Sequence, residues 1–206
     1  MNSIHAFPRI ISLGSHGSPR RGAAMIQIGS RPQKSTSEPD AVDLLLGCHD
    51  RIRKFVALGL RVAEPGGAPA AERREAAQAV HRYFTVGLPR HSHDEDELVV
   101  PRLLLAHPPA ALPRVLATMS GQHEDLHRLI DRLTPRWAEL AASADPDGWL
   151  QGAGAALAED TRRLHAMFVT HLEPEETIIF PAIRLLLPAH VQRELLSEIR
   201  AFHLRE

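Results

Sequence analysis

Residues 91–101 read HSHDEDELVVP, and residues 171–181 read HLEPEETIIFP. The two stretches align when the sequence is compared with itself at an offset of 80 residues. Each carries the pattern His-x-x-x-Glu, then apolar residues, then a proline. A repeat in residues of this type indicates two helices built to the same design.

The histidine and the glutamate of each copy, His91 with Glu95 and His171 with Glu175, are four positions apart. Residues at this spacing lie on one face of an α-helix, about 6 Å apart along its axis. An imidazole and a carboxylate placed in this way can reach one metal ion, and two such helices can supply two ions. Mixed imidazole and carboxylate ligation suits iron or manganese better than calcium or structural zinc, so iron is the expected metal.

The composition predicts an all-α fold. Aromatic residues make up only 4% of the chain, and Ala, Leu and Arg dominate, which favours helices over strands. Apolar periodicity and Pro- or Gly-marked loops predict an up-down four-helix bundle with a short fifth C-terminal helix that covers one end. The predicted helices span about 40–64, 70–101 with a bend or restart at Pro89, and 109 or 113 to 142 with a kink or break at Pro135. A fourth spans 149–181, and a shorter segment follows Pro188.

The first and third helices offer further histidines on their inner faces. His49 flanks the apolar stripe of the first helix, while His123 and His127 are four positions apart in the third. With the repeat, this makes five imidazoles and two carboxylates. If the carboxylates bridge two ions, a coordination position stays open for a small ligand, which indicates chemistry or sensing.

Other residues near the repeat have competing interpretations. His93 and Glu97 form a second pair at the same spacing, but it lies about 200° around the helix from the first, so both pairs cannot face inward. The 80-residue repeat selects the pair that begins at His91. Asp94 and Glu176 are expected to accept hydrogen bonds that orient the ligand imidazoles.

A histidine, then His-x-x-x-Glu, His-x-x-x-His and His-x-x-x-Glu in four successive helices resembles the hemerythrin-like, or HHE cation-binding, family. The resemblance covers about residues 40 to 187, and residues 171–181 are its most specific part. It implies a non-haem di-iron site that binds dioxygen or a related diatomic molecule between the helices. Carried over by position, the implied ligands are His49, His91, Glu95, His123, His171 and Glu175, with His127 as a further candidate.

The ligand patterns of the third and fourth helices can be compared with those of the oxygen-carrying hemerythrins. The oxygen-carrying hemerythrins use both histidines of the third-helix pair, whereas many relatives use one. In the fourth helix the oxygen carriers have an aspartate five residues after the histidine, where this chain has Glu176. The resemblance therefore points away from reversible oxygen transport and toward the broader family, for which sensing, iron handling, and peroxide or nitric-oxide chemistry have been proposed.

Three functions are compatible with these residues. The leading hypothesis is a di-iron protein that binds dioxygen, peroxide or another diatomic ligand as a sensor, store or scavenger, rather than an enzyme with a conventional catalytic apparatus. The second is a di-iron enzyme that consumes peroxide or nitrogen oxides. The third is a helical regulatory or interaction module that metal only stabilises.

The remaining features limit partners and location. The 24 basic and 25 acidic residues cancel, and no stretch is apolar for long enough to span a membrane, so neither nucleic acid nor a membrane is an expected partner. Cys48 is the single cysteine, which excludes an internal disulfide and fits a reducing, cytoplasmic location. Residues 1–38 are expected to be a disordered tail, a targeting segment, or a stretch that precedes a true start at Met25, followed by the bundle domain over 39–206.

Overall fold

The computed structural model describes residues 38–64 and 69–204, which form five helices in chain order. These are α1 (Ala41–Ala63), α2 (70–105), α3 (Leu112–Ala142), α4 (146–186) and α5 (Ala189–Leu204). Each of the first four helices packs against its neighbour in sequence, and α1 packs against α4, so the four helices close into a bundle. The predicted all-α bundle with an additional C-terminal helix is confirmed. The tail predicted over residues 1–38 lies almost entirely outside the described residues.

Asp40 sets the start of α1 through a capping box. Its side chain accepts a hydrogen bond from the backbone N–H of Asp43 at 2.8 Å, and the Asp43 side chain accepts one from the backbone N–H of Asp40 at 3.0 Å. Arg184, in the last turns of α4, donates to both carboxylates at 2.9 and 2.8 Å. These contacts join the beginning of the first helix to the end of the fourth.

Helices α2 and α4 contain π-helical turns, each of which ends two residues before a proline. The turns are Tyr83–Gly87, Asp94–Val99 and Glu175–Ile179, and they precede Pro89, Pro101 and Pro181. A proline ring crowds the preceding turn of an α-helix and supplies no N–H, and the wider π turn makes room for it. The helix ends predicted at Pro101 and Pro181 are therefore wrong, because α2 continues to Leu105 and α4 to Leu186. Helix α3 continues through Pro135, so of the kink or break predicted there, the break is wrong.

Two apolar clusters fill the bundle on either side of its middle. One contains Ile52, Val80, Leu133, Trp137 and Leu157, among others. The other contains Leu45, Leu103, Leu116 and Ile183, and α5 adds Leu195 and Ile199 to it. Along each of the first four helices, the residues of one cluster give way to those of the other close to the predicted metal ligands. The fold thus places these ligands in a layer closed at both ends by apolar side chains. None of the described helices combines the length and the apolar character needed to cross a membrane.

Candidate metal centre

Six of the seven predicted ligands converge in this middle layer. His49 comes from α1, His91 and Glu95 from α2, His123 from α3, and His171 and Glu175 from α4, and each has at most 3% of its surface exposed. Both glutamates lie in π turns, which occur often at functional sites. Burial of so many ionisable groups is costly unless they are paired with one another or with a metal ion.

The six side chains form two overlapping groups, each with potential ligand atoms within 4.8 Å of one another. One group is His49, His91, Glu95 and Glu175, and the other is Glu95, His123, His171 and Glu175. Both glutamates therefore belong to both groups, while each group has its own pair of histidines. Each group by itself therefore offers four candidate donors, of the imidazole and carboxylate types that metal ions accept.

The distances between ligand atoms show how the carboxylates link the groups. Glu95 Oε2 lies 3.4 Å from His91 Nε2 and 3.3 Å from His123 Nε2. Glu175 Oε2 lies 3.2 Å from His49 Nε2, and Glu175 Oε1 lies 3.1 Å from His171 Nε2. Each glutamate thus reaches one histidine of each pair.

Most of these atoms are close to one another without being aligned as hydrogen bonds. Both carboxylate oxygens of Glu95 and Glu175 are buried without a hydrogen-bond partner, as are the Nε2 atoms of His49, His91 and His123. Such orphaned polar atoms are rare in protein interiors and call for an explanation. Two ligands at right angles around one ion, each about 2.1 Å from it, lie about 3 Å apart, which matches the shortest spacings found here. The residues present therefore fit a metal site.

The carboxylates around two of the imidazoles raise the pKa values of these rings. Burial by itself lowers the pKa of His49, but contacts with Glu175 and Glu95 outweigh it and raise that pKa to about 10. At His123 burial is outweighed by contacts with Asp96 and Glu95, and the pKa again rises to about 10. Protons on these two rings supply positive charge where metal ions would otherwise supply it.

The pKa values of the other four ligands shift in different directions. Burial lowers the pKa of His91 to about 4 and that of His171 to about 3, so both rings are neutral. Burial and the charge of Glu95 raise the pKa of Glu175 to about 8. For Glu95 itself, the surrounding histidines overcome burial and hold the pKa far below its usual range. The pKa values of the two carboxylates thus shift in opposite directions, because burial side by side disfavours two negative charges at once.

Comparison with known proteins agrees with this geometry. The family model of the hemerythrin HHE cation binding domain matches residues 40–183. The chain belongs to the hemerythrin HHE family. Uncharacterized proteins of Mycobacterium bovis and Mycobacterium tuberculosis are 27% identical to it over 170 residues, which cover 76% of this chain and 62% of theirs. The chain thus spans less than two thirds of the length of these relatives. No solved structure matches it.

The outer nitrogens of three histidines in this HHE domain have hydrogen-bond partners. His49 Nδ1 lies 2.8 Å from Glu176 Oε1, and His123 Nδ1 lies 2.7 Å from Asp96 Oδ2. The two carboxylates follow the shared glutamates directly, Asp96 after Glu95 and Glu176 after Glu175. A partner at Nδ1 holds each ring with Nε2 turned toward the ligand layer. The predicted contact of Glu176 with a ligand imidazole is confirmed. Asp96 has the same role and lies 80 residues before Glu176, so the repeat could have identified it, but sequence reasoning missed it.

Two other partners differ from expectation. Asp94 was expected to orient a ligand imidazole, but its Oδ2 lies 2.8 Å from Nε2 of His203 in α5. His171 Nδ1 instead lies 3.0 Å from Oε1 of Gln122, a neutral partner that sequence reasoning missed. The sequence pattern could not predict this contact, because Gln122 is uncharged and its position in the helix is like that of any other half-exposed residue.

Three remaining candidates lie outside both ligand groups. His127 is half-buried, with its Nε2 3.2 Å from Ser92 Oγ and its ring centroid 6.3 Å from that of His123. His93 stacks on Phe202 of α5 at 4.1 Å, and Glu97 is exposed. The competing pair of His93 and Glu97 is therefore not brought to the site, and metal binding by His127 stays a prediction.

Proposed function

We propose that the protein is a non-haem di-iron protein that binds dioxygen or a related small ligand, such as another diatomic molecule or peroxide, for sensing, storage or scavenging. The observation that carries this proposal is the membership of Glu95 and Glu175 in both ligand groups. Two buried carboxylates shared between two pairs of imidazoles suit a pair of bridged ions, whereas a single ion would leave one pair of histidines unused.

The proposed ligand sets follow from the two groups. His49 and His91 would hold one ion and His123 and His171 the other, with one oxygen from each glutamate on each ion. Each ion then has four protein donors, and iron in a protein commonly accepts up to about six, so positions remain for a small ligand. When bound, iron supplies the redox chemistry and the open coordination positions; the chain supplies the donors, their orientation and a buried layer between two apolar clusters.

The balance of charge supports divalent ions. Glu95, Glu175 and Asp96 are acidic residues of the centre, and Glu176, which also pairs with Arg53, is a fourth; two divalent cations would balance most of the negative charge of these side chains. The direct donors are nevertheless richer in neutral imidazoles than in carboxylates. A shell of this kind supplies less negative charge to the metal than a carboxylate-rich one, which favours ferrous iron and ligand binding over strong oxidation.

We also propose that residues 39–206 form the metal-binding domain and that the protein acts in the cytoplasm. The family match over residues 40–183 supports the domain. The free thiol of Cys48, buried in the bundle, is compatible with a reducing compartment.

The test is to load the full-length chain with ferrous iron without oxygen, count the iron, and record the visible spectrum before and after air is admitted. Close to two irons per chain, with a visible charge-transfer band that is lost in His171→Ala, is the expected result. Substoichiometric iron and no band in a chain that still folds would contradict the proposal. Consumption of peroxide far beyond two equivalents would instead indicate an enzyme.

A further inference from the structure

A cleft of about 260 Å³ lies between α3 and α4 and reaches from the surface to the ligand layer. Its outer part is formed by the exposed residues Arg114, Thr118 and Ile178. Its inner end is formed by Met119 and by two of the candidate ligands, His171 and Glu175, all of them buried. Between these ends, Val115 and Pro174 add apolar surface.

The inner end of the cleft faces one ligand group in particular. His171 belongs only to the group that includes His123, whereas Glu175 belongs to both groups. Met119 lies one helical turn before His123, on the same face of α3, and is only 3% exposed. Gln122, the hydrogen-bond partner of His171 Nδ1, also lines the cleft. The cleft therefore ends at the side of the centre formed by His123 and His171.

The His49 side of the centre is covered differently. A separate cavity of about 230 Å³ between α1 and α4 is lined by Val169 and by Arg53 and Glu176. Arg53 donates to Glu176 at 2.6 Å, and Glu176 in turn contacts His49 Nδ1. An ion pair thus stands between that cavity and the back of the His49 ring, and this cavity serves as a natural control for the first.

We propose that the α3–α4 cleft is the route by which a small uncharged molecule, of two or three heavy atoms, reaches the ion held by His123 and His171, and that Met119 limits the size of what enters. The inference rests on the proposed function. Apolar walls penalise charged ligands, which would lose their hydration without gaining partners. Its volume of about 260 Å³ lies just below the roughly 300–1,000 Å³ typical of sites for drug-sized ligands, so the cleft admits a molecule of a few atoms with room to spare.

The first test examines the cleft without metal, using xenon as an uncharged apolar probe. The Met methyl groups of the full-length metal-free chain are isotope-labelled, and their NMR signals are followed as xenon pressure rises. We expect the Met119 signal to shift, the shift to disappear in Ile178→Trp, which fills the mouth, and the shift to persist in Val169→Trp, which fills the other cavity. A Met119 signal insensitive to xenon in the unmodified chain would overturn the proposal.

The second test measures entry into the ferrous-loaded chain by rapid mixing with nitric oxide. Ile178→Trp and Met119→Phe should slow binding on the order of tenfold, Met119→Ala should speed it, and Val169→Trp should leave it unchanged. Iron content is measured for every variant, so that rates are compared at equal loading.

The outcomes separate this inference from the proposed function. A chain that binds iron and nitric oxide, but at a rate indifferent to Ile178→Trp and Met119→Phe, would overturn the cleft as a route and leave the di-iron proposal standing. A chain that folds without binding iron would refute the proposed function, and the route would fall with it.

Discussion

The side chains of Glu95 and Glu175, 80 residues apart in the chain, bring carboxylate oxygens within 4.8 Å of each other between the two apolar clusters. Each is also within 3.4 Å of a histidine from each pair. Two carboxylates held this close repel each other unless a proton or a cation lies between them. This relationship makes the centre one coupled unit rather than two independent sites.

Replacement of a shared glutamate should therefore remove more metal than replacement of a single histidine. In Glu95→Gln or Glu175→Gln, each ion loses a charged donor, and we expect iron to fall from about two per chain to below one. His91→Ala removes a donor from one group only and should retain the ion of the other. Iron is counted by elemental analysis. Glu173→Gln, an exposed neighbour in α4, is the control and should bind normally.

The carboxylates behind His49 and His123 should strengthen metal binding without touching the metal. Glu176→Gln and Asp96→Asn keep the side-chain shape but weaken the acceptor at Nδ1, and we expect each to reduce metal affinity about 10- to 100-fold. Competition with a chelator of known affinity measures the change. Glu97→Gln, next to Asp96 but exposed, should bind as the unmodified chain does. Equal affinities in all three variants would show that these contacts contribute nothing.

Metal binding should release protons and grow stronger as pH rises. The pKa is about 10 for His49 and His123 and about 8 for Glu175, so at pH 7 the metal-free site holds protons on all three. Ligands bind metal in their deprotonated forms, and each proton displaced makes the affinity rise about tenfold per pH unit. Titration in weak buffer with a pH electrode counts the protons. Affinity that stays flat from about pH 6 to 7.5 would contradict these protonation states.

His127→Ala tests the seventh predicted ligand. Because His127 contacts Ser92 and lies outside both groups, we expect the variant to keep its full iron content. His123→Ala, one turn away on the same helix, should lose iron and serves as the positive control. Iron lost equally in both variants would instead make His127 a ligand.

Removal of the metal should weaken the bundle without unfolding it. The two apolar clusters span all four main helices and do not depend on the ligand layer, so helical circular dichroism should survive chelation. The melting temperature should fall, because a metal at about 1,000 times its Kd adds about 4 kcal/mol to the free energy of unfolding. Loss of the helical signal on chelation would support the hypothesis of a metal-held structural module.

Much of the fold and part of the centre could be predicted because helical spacing alone determines which residues share a face. The four-residue interval places His91 with Glu95 and His171 with Glu175, whatever the helices pack against. The 80-residue repeat selected that register over the one of His93 and Glu97, and the structure shows only the selected pairs at the ligand layer.

Contacts between helices could not be predicted in this way. Asp94, Asp96 and Glu97 are acidic neighbours in one turn, yet Asp96 meets His123, Asp94 meets His203 and Glu97 stays exposed. The spacing of residues within one helix does not reveal which neighbouring helix places a histidine at the same level of the bundle. The continuation of α2 through Pro101 and of α4 through Pro181 could not be predicted either, because it depends on π turns that local helix propensity does not reveal.

The sequence by itself determined the helical class, the order of the helices and the two His-x-x-x-Glu faces, because these follow from periodicity along a single helix. Only the tertiary structure decided that both glutamates are shared, that His127 turns to Ser92, and that a cleft beside Met119 reaches the centre. The physical reason is that each of these depends on the rotation and height of one helix against another, which packing of side chains from distant parts of the chain sets.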